Sequence, residues 1–341
     1  MKKTMKVFMD CFDFVGKAVE KKLPDFKFTY FFTSSNNTFN FVNDFFEVRK
    51  KLISGELNSY DIIHINNWFN FLLIKYRRPG QVWIAESHGF HLGLNFRKAL
   101  ADSTFLSRII GILLGIFFHF PIKRAIKKFD YYFAAIPNIL DDVRVVRKDA
   151  IWLSNPIDDS FFKNPKKKRF DGSPSIFFPT RLHKMKEPEL GFKIFESVLQ
   201  KFPKAKLHLI RYPERYSQYQ YYSKYTDRLK DKIVWHDFFD RKNIVNIYPS
   251  FDLVFGAFGK GLLNLVELEA MASGATVVSY DKYELIKEDK EHLSDFTMKL
   301  LRDRNFKRRY TERCRKYVRE AHSADNIAKK YRNLILEKMQ Y

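Results

Sequence analysis

Short apolar runs recur along almost the whole chain, each separated from the next by a stretch with helical spacing, and this alternation constrains the fold more than any other feature. It is the pattern of an α/β protein with largely parallel sheets. In the first half the runs predict strands over residues 6–9, 27–31, 61–65, 82–86, 131–135 and 150–153. In the second they predict strands at SIFFPT (175–180), 206–210, 233–235, 252–255 and ATVVSY (275–280). Between the two sets, KNPKKKRFDGSP at 163–174 breaks the alternation with prolines, a glycine and a run of cations. The reading is therefore two domains, 1–162 and 174–322, a linker at 163–173, and a C-terminal helix over 323–341.

Helical signals fit between these strands. Residues 187–201 carry Leu190, Ile194, Val198 and Leu199 on one face, residues 263–273 close on Gly274, and Ser323 is a plausible N-cap for a helix striped by Ile327, Tyr331, Leu334 and Ile335. At 341 residues and 45% hydrophobic content, the chain has enough material for two cores. Its two cysteines, Cys11 and Cys314, lie far apart without metal-ligand company, so neither a disulfide framework nor a zinc site is indicated and a reducing, cytoplasmic setting fits best. The start MKKTMKVFMDC is broken by Asp10 and reads as a first buried strand rather than a signal peptide. In the most apolar stretch, 105–122, only ten consecutive residues (109–118) are free of Arg108 and His119. A membrane span needs ~20.

Lysine and arginine number 61 against 39 acidic residues, a net charge of +22, so phosphate, an anionic membrane or nucleic acid are the partners to weigh. The most specific stretch is LVELEAMASGATVVS at 265–279, preceded by the glycine-containing FGKGLLN at 258–264. A helix N-terminus after such a loop points free N–H groups at a phosphate, and a carboxylate one or two turns along can accept from ribose hydroxyls. This segment resembles the nucleotide-sugar-binding part of retaining GT-B glycosyltransferases of family 4, the glycosyl transferases group 1 domain. The resemblance implies two Rossmann-like domains facing a deep cleft, with Gly261, Leu262, Leu263, Asn264 and Glu269 binding the donor. Gly261 stands where the family usually carries a glutamate that contacts the donor sugar, and Glu267 differs from Glu269 by ~200° around a helix, so it cannot take that role.

Upstream, FFPTRLHKMKEPELGF at 177–192 resembles the family's Gly-Arg-Leu-x3-Lys-Gly, which places Arg181 and Lys186 on its two basic positions. Two such cations would stabilise the charge growing on a leaving nucleoside diphosphate without a metal or other cofactor. Thr180 and Glu187 replace the motif's glycines. In the first half, DIIHIN (61–66) and WIAESHGFH (83–91) resemble the family's histidine-bearing strand ends, which implies His88 as the catalytic-side histidine, with His64 and His91 on the acceptor side. FDYYFAAIPN (129–138) and WLSNPIDDSFF (152–162) resemble the stretch that closes the first domain. After the first strand the family has a glycine-rich acceptor loop, and CFDFVGK offers Gly16 alone.

The implied activity is sugar transfer from a nucleotide donor with retention. Cations Lys123, Arg124, Lys127 and Lys128 after the apolar 105–122 suggest peripheral docking on an anionic membrane and a lipid-linked acceptor. Two alternatives remain open. One is a degenerate GT-B module that binds without full activity, motivated by Gly261; the other is a basic nucleic-acid-binding protein, for which no recognition helix, RNP-like strand or zinc finger is visible.

Overall fold

All eleven apolar runs form strands in a computed structural model of the chain. It describes residues 4–10, 13–31, 40–66, 68–87, 121–163, 165, 168, 170–213, 218–240, 243–259, 261–286 and 288–339. The chain divides into two units, one of Met1–Pro156 with Ala324–Tyr341 and one of Ile157–Ser323.

The first unit contains β1 (Met5–Asp10), α1 (Asp13–Glu20), β2 (Phe26–Tyr30), α2 (Asn40–Ser54), β3 (Ile62–Ile65), β4 (Val82–Ser87), β5 (Tyr131–Ala134), α3 (Pro137–Arg144) and β6 (Ile151–Trp152). Its six strands are parallel in the order β2-β1-β3-β4-β5-β6. Phe8, Ile63, Ile65 and Trp83 pack on one face with Val48 and Leu52 of α2 and Ile139 of α3. Val7, Met9, Ile62 and Ile84 pack on the other with Val19 of α1. A sheet buried on both faces explains why its strands read as nearly unbroken apolar runs. Gly16, expected in a loop after β1, instead lies within α1, because the helix begins at Asp13.

The second unit contains β7 (Ser175–Phe178), α4 (Pro188–Lys201), β8 (Lys206–Ile210), α5 (Tyr219–Arg228), β9 (Ile233–His236), α6 (Ile244–Ile247), β10 (Leu253–Phe255), α7 (Leu265–Ala272), β11 (Val277–Val278), α8 (Leu293–Arg302) and α9 (Arg304–His322). These strands are parallel in the order β11-β10-β7-β8-β9 around one core. In each unit the strand order reverses beside the first strand, between β1 and β3 and between β7 and β10. Such switch points open a crevice beyond the carboxyl ends of the strands.

A last helix, α10 (Ala324–Met339), packs on the first unit. Its Ile327, Tyr331 and Ile335 join Val7, Ile62, Ile84 and Phe133, and the Tyr131 hydroxyl donates to the Leu334 carbonyl at 2.7 Å. Among the described residues no helix is long and apolar enough to cross a membrane.

The first division falls after Pro156, earlier than the basic stretch expected to be a linker. Phe170 stacks on Phe251 with ring centroids 4.1 Å apart, the Ser173 N–H donates to the Lys204 carbonyl at 3.0 Å, and His208 Nε2 bonds the Asp171 carbonyl at 2.7 Å. Aromatic and backbone contacts thus bind 170–173 to the second unit despite its linker-like composition.

His208 also lies 2.8 Å through Nδ1 from His236 Nε2. Burial pushes both rings below the ordinary histidine value of 6.5, against the pull of the Asp171 carbonyl on His208 and of Asp237 on His236. With folded values lowered, stability is full above pH 6.5 and is lost as pH falls through that value, because the unfolded chain takes up protons that the folded one refuses. Urea denaturation between pH 7 and pH 5.5 is expected to show a loss of up to about 1.4 kcal/mol per pH unit for each ring. His236→Asn is expected to lessen that slope; an unchanged slope would assign it to other groups.

Candidate functional site

Two of the motif segments of the second unit meet at its switch point, through Lys186 and Asn264. Strand β7 runs out through Thr180 and Arg181 into a short helical turn, Lys184–Lys186, before α4; β10 runs out through the glycine-rich residues 256–261 before α7. These two loops touch. The Phe258 N–H donates to the Lys186 carbonyl at 3.0 Å, and a Cβ on Gly259 would stand 2.2 Å from the Met185 carbonyl oxygen. Glycine at 259 is therefore required by the approach of one backbone to the other.

One buried carboxylate organises the second loop. Glu267, 1% exposed, accepts the Ala257 N–H at 2.6 Å and the Asn264 side-chain amide at 3.1 Å through Oε1, and the Asn264 backbone N–H at 3.2 Å through Oε2. Asn264 is the N-cap of α7, and Glu267 three residues on supplies the reach-back half of a capping box. Asn264 Oδ1 in turn accepts from Lys186 Nζ at 2.7 Å. Lys186, Asn264, Glu267 and Ala257 thus form a hydrogen-bonded chain that places an ammonium beside the free N–H groups of a helix N-terminus, an arrangement suited to a phosphate.

Arg181 is exposed on the loop after β7, close enough to Tyr212 that its charge opposes the effect of burial, which pushes that phenol up to about 12. Glu269, the expected ribose ligand, is 6% exposed within α7. Leu262 and Leu263 turn buried side chains inward, so what they can offer a ligand is backbone. Gly261 has φ +65°, and a Cβ there would lie 2.7 Å from Lys282 Cγ, so the missing glutamate comes with a reshaped turn. In the first unit His64 is 1% exposed in β3, stacked on Tyr331 of α10 with centroids 5.8 Å apart. Its Nε2 is 2.8 Å from Glu86 Oε2 at an angle outside hydrogen-bond geometry. It is enclosed between sheet and helix. His88 and His91 lie outside the described residues.

The sequence reading passed over the role of Glu267, although the spacing Asn264-x2-Glu267 is a capping signal. It also passed over Asp281, 0% exposed after β11, whose carboxylate accepts the N–H groups of Tyr283, Glu284, Leu285 and Ile286. Among the described residues no group of three or more histidine, cysteine or acidic side chains is placed to hold a metal ion. A cavity of about 620 Å³ between α8 and α9, lined by Phe296, Lys299, Phe306 and Arg313 among others, contains none of the motif residues.

The family described as glycosyl transferases group 1 matches residues 159–333, about half of the chain. Among curated protein sequences none matches significantly. Solved structures are similar at low identity. Sucrose-phosphate synthase from Thermosynechococcus elongatus has a TM-score of 0.70 at 12% identity, covering 98% of this chain and 99% of that one. Anabaena HepE with UDP-glucose has a TM-score of 0.64 at 11% identity, covering 98% and 99%. A variant of S. aureus TarM in complex with UDP has a TM-score of 0.60 at 14% identity over 83% of this chain and 58% of that one, so this chain spans less than two thirds of TarM. At these identities the likeness concerns the fold, which is GT-B: α/β, with two Rossmann-like units.

Glu187, in place of the motif's second glycine, is the one non-glycine residue with positive φ among the described residues, at 46°. A left-handed conformation costs an L-residue roughly 1–2 kcal/mol, and the Glu187–Lys290 ion pair at 2.5 Å is partly exposed and offsets little. Glu187→Gly is therefore expected to leave stability unchanged or raise it, and Glu187→Val to lower it, because a β-branched side chain tolerates positive φ least. Gly261→Glu is expected to lower it by about 1–2 kcal/mol. Urea denaturation of the three variants checks this; a destabilised Glu187→Gly would show that the ion pair outweighs the strain.

Proposed function

The chain belongs to the glycosyl transferases group 1 family, and on that premise we propose that it transfers a sugar from a nucleotide-sugar donor to an acceptor, with retention at the anomeric carbon and without a metal ion. The observation that carries the reading is the 2.7 Å bond from Lys186 Nζ to Asn264 Oδ1 at the N-cap of α7. It fixes a cation where the helix dipole already favours an anion. As the glycosidic bond breaks, negative charge accumulates on the leaving diphosphate. Lys186, Arg181 and the N–H groups at the start of α7 oppose that charge in positions set before reaction. Retention would then follow a front-face course, with departure and attack on one side of the sugar. HepE holds UDP-glucose and TarM holds UDP, which makes UDP the first nucleotide to try.

A second reading, a module that binds without turnover, is favoured by the turn at Gly261. Hydrolysis or transfer of any nucleotide sugar separates the two. A thermal-shift screen with UDP, GDP, ADP and their sugars tests donor binding, since a ligand at 100 times its Kd adds ~2.7 kcal/mol. Arg181→Ala and Lys186→Ala are each expected to lower kcat by roughly 100-fold or more, because the charge they face grows toward the transition state. EDTA should change little. Strict dependence on Mg²⁺ would remove the role given to these two cations.

The acceptor side of the proposal includes docking on an anionic membrane. Arg124, Lys127 and Lys128 are exposed at the end of the apolar stretch. The protein is expected to co-float with liposomes containing anionic lipid at low salt and to lose that binding when Lys123, Arg124, Lys127 and Lys128 are neutralised. Absence of flotation would overturn it.

A further inference from the structure

The cavity of about 620 Å³ between α8 and α9 has a wall that the transfer chemistry does not use. Asp303 makes the turn between the two helices. Its backbone N–H donates to the Lys299 carbonyl at 2.9 Å, closing α8, and its carboxylate accepts the Phe306 N–H at 2.8 Å, starting α9. Phe306, Arg309, Tyr310 and Arg313 then follow at helical spacing, so one stripe of α9 lines the cavity. Phe296 of α8 meets Phe306 and Tyr310 edge-on, with centroids 6.1 and 5.1 Å away, and the Tyr310 hydroxyl donates to the Val277 carbonyl of β11 at 2.8 Å. The floor is therefore aromatic and tied to the sheet.

The charges above that floor are the informative part. Lys299, Arg309 and Arg313 all line the cavity, and among the described residues none of the three has a carboxylate partner. Lys299 Nζ stands 4.2 Å over the Phe306 ring and the Arg313 guanidinium 5.6 Å over Tyr310, contacts that leave a cation open to an anion. Elsewhere on α9 cations are engaged: Lys307 pairs with Asp252, Lys316 with Glu320, and Arg315 donates to the Ala272 and Phe162 carbonyls. Arg304 and Arg308, outside the lining, add to the positive field. Two carboxylates, Glu288 and Asp295, also line the cavity without pairing to the three cations. A volume of about 300–1,000 Å³ is that of a small-molecule site. Inorganic phosphate would answer the cations and be repelled by the carboxylates. A neutral sugar would answer the carboxylates and leave the cations. A phosphate that carries hydroxyls answers both, accepting from Lys299, Arg309 and Arg313 and donating to Glu288 and Asp295.

We infer that the cavity between α8 and α9 binds a small phosphate monoester bearing free hydroxyls, a sugar phosphate or a nucleoside monophosphate. None of the motif residues lines it, so it is a second ligand site in the unit that carries the Lys186–Asn264 pair, and it does not rest on the transferase reading. Arg309 and Arg313 are exposed and stand four residues apart on one helix face, where like charges repel. Neutralising either one therefore leaves the fold as stable or more so, while it weakens the ligand.

Isothermal titration calorimetry of the full chain with D-glucose 6-phosphate, glycerol 3-phosphate and UMP, beside D-glucose and inorganic phosphate, tests this. At least one monoester is expected to bind at least tenfold more tightly than either D-glucose or inorganic phosphate, and which one binds tells the sugar source from the nucleotide source. Arg309→Gln and Arg313→Gln should each weaken it roughly tenfold or more, the worth of one charge-assisted hydrogen bond, and should melt at the same temperature or higher. Lys316→Gln, on the same helix outside the lining, and Lys186→Ala, at the other site, should bind as the wild type does. Four results would overturn the site: no monoester binding, inorganic phosphate bound as tightly as the monoesters, an equal loss in Lys316→Gln, or binding lost in Lys186→Ala but kept in Arg309→Gln and Arg313→Gln. The readout needs no sugar transfer. A chain that binds a monoester here and turns over no nucleotide sugar would keep this site and lose the transferase reading, and the converse result would do the reverse.

Discussion

The Glu267 carboxylate, 1% exposed, accepts from Ala257 N–H at 2.6 Å and from Asn264 N–H at 3.2 Å, and the rest of the candidate site depends on those bonds. They tie the first turn of α7 to the residue two beyond β10, so the helix cannot tilt without breaking a buried bond to a carboxylate. Such bonds contribute roughly 1.5–3 kcal/mol each, and an orphaned N–H left behind costs about as much again. The fit is also steric: a Cβ on Gly256 would stand 2.4 Å from Glu267 Cγ. Only once the helix start is fixed in this way does Asn264 present its Oδ1 to Lys186, joining the loop after β7 to the loop after β10.

Completion of the first unit depends on the end of the chain. Val7, Ile62, Ile84 and Phe133 share their cluster with Ile327, Tyr331 and Ile335 of α10, so one face of the first sheet stays uncovered until residues beyond 323 arrive. His64 belongs to that closure. Its ring is parallel to within 14° of Tyr331 and 6.0 Å from Phe133, which explains a buried histidine in a strand otherwise made of isoleucine. Contacts of such sequence separation are slow to form and are paid for in loop entropy before they stabilise anything.

Much of this was legible in the sequence because burial on both sheet faces writes itself as apolar runs. All eleven strands, the helix before Lys201 and the stripe of α10 followed from spacing. What was not legible turned on single side chains acting at a distance. Phe170 sits in a basic, proline-bounded stretch whose composition reads as linker, and only its partner Phe251, eighty-one residues away, places it in a core. Gly16 reads as a loop residue because the resembling family has a glycine-rich loop after its first strand, yet α1 starts three residues before it. Glu187 looks like an arbitrary departure from a Lys-Gly pair until its φ of 46° shows what the glycine is for. Glu267 was set aside because its angle on the helix rules out the sugar-contacting role; the same angle aims it at Ala257.

The two switch points differ in a way that topology alone does not require. Each has a carboxylate that collects an N–H from the neighbouring loop: Glu267 from Ala257 and Asn264, Asp10 from Asn66 and the Asn70 amide. Around Glu267 the asparagine is fully engaged, with Asn264 bonded to Lys186 through its oxygen and to Glu267 through its nitrogen. Around Asp10, Asn66 Oδ1 and Nδ2 and Asn70 Oδ1 have no hydrogen-bond partner among the described residues. The first arrangement is finished without a ligand, as stabilisation of a developing charge demands, because donors already in place need no reorganisation during reaction. The second is unfinished, and an unpaired buried polar atom costs about 1–3 kcal/mol.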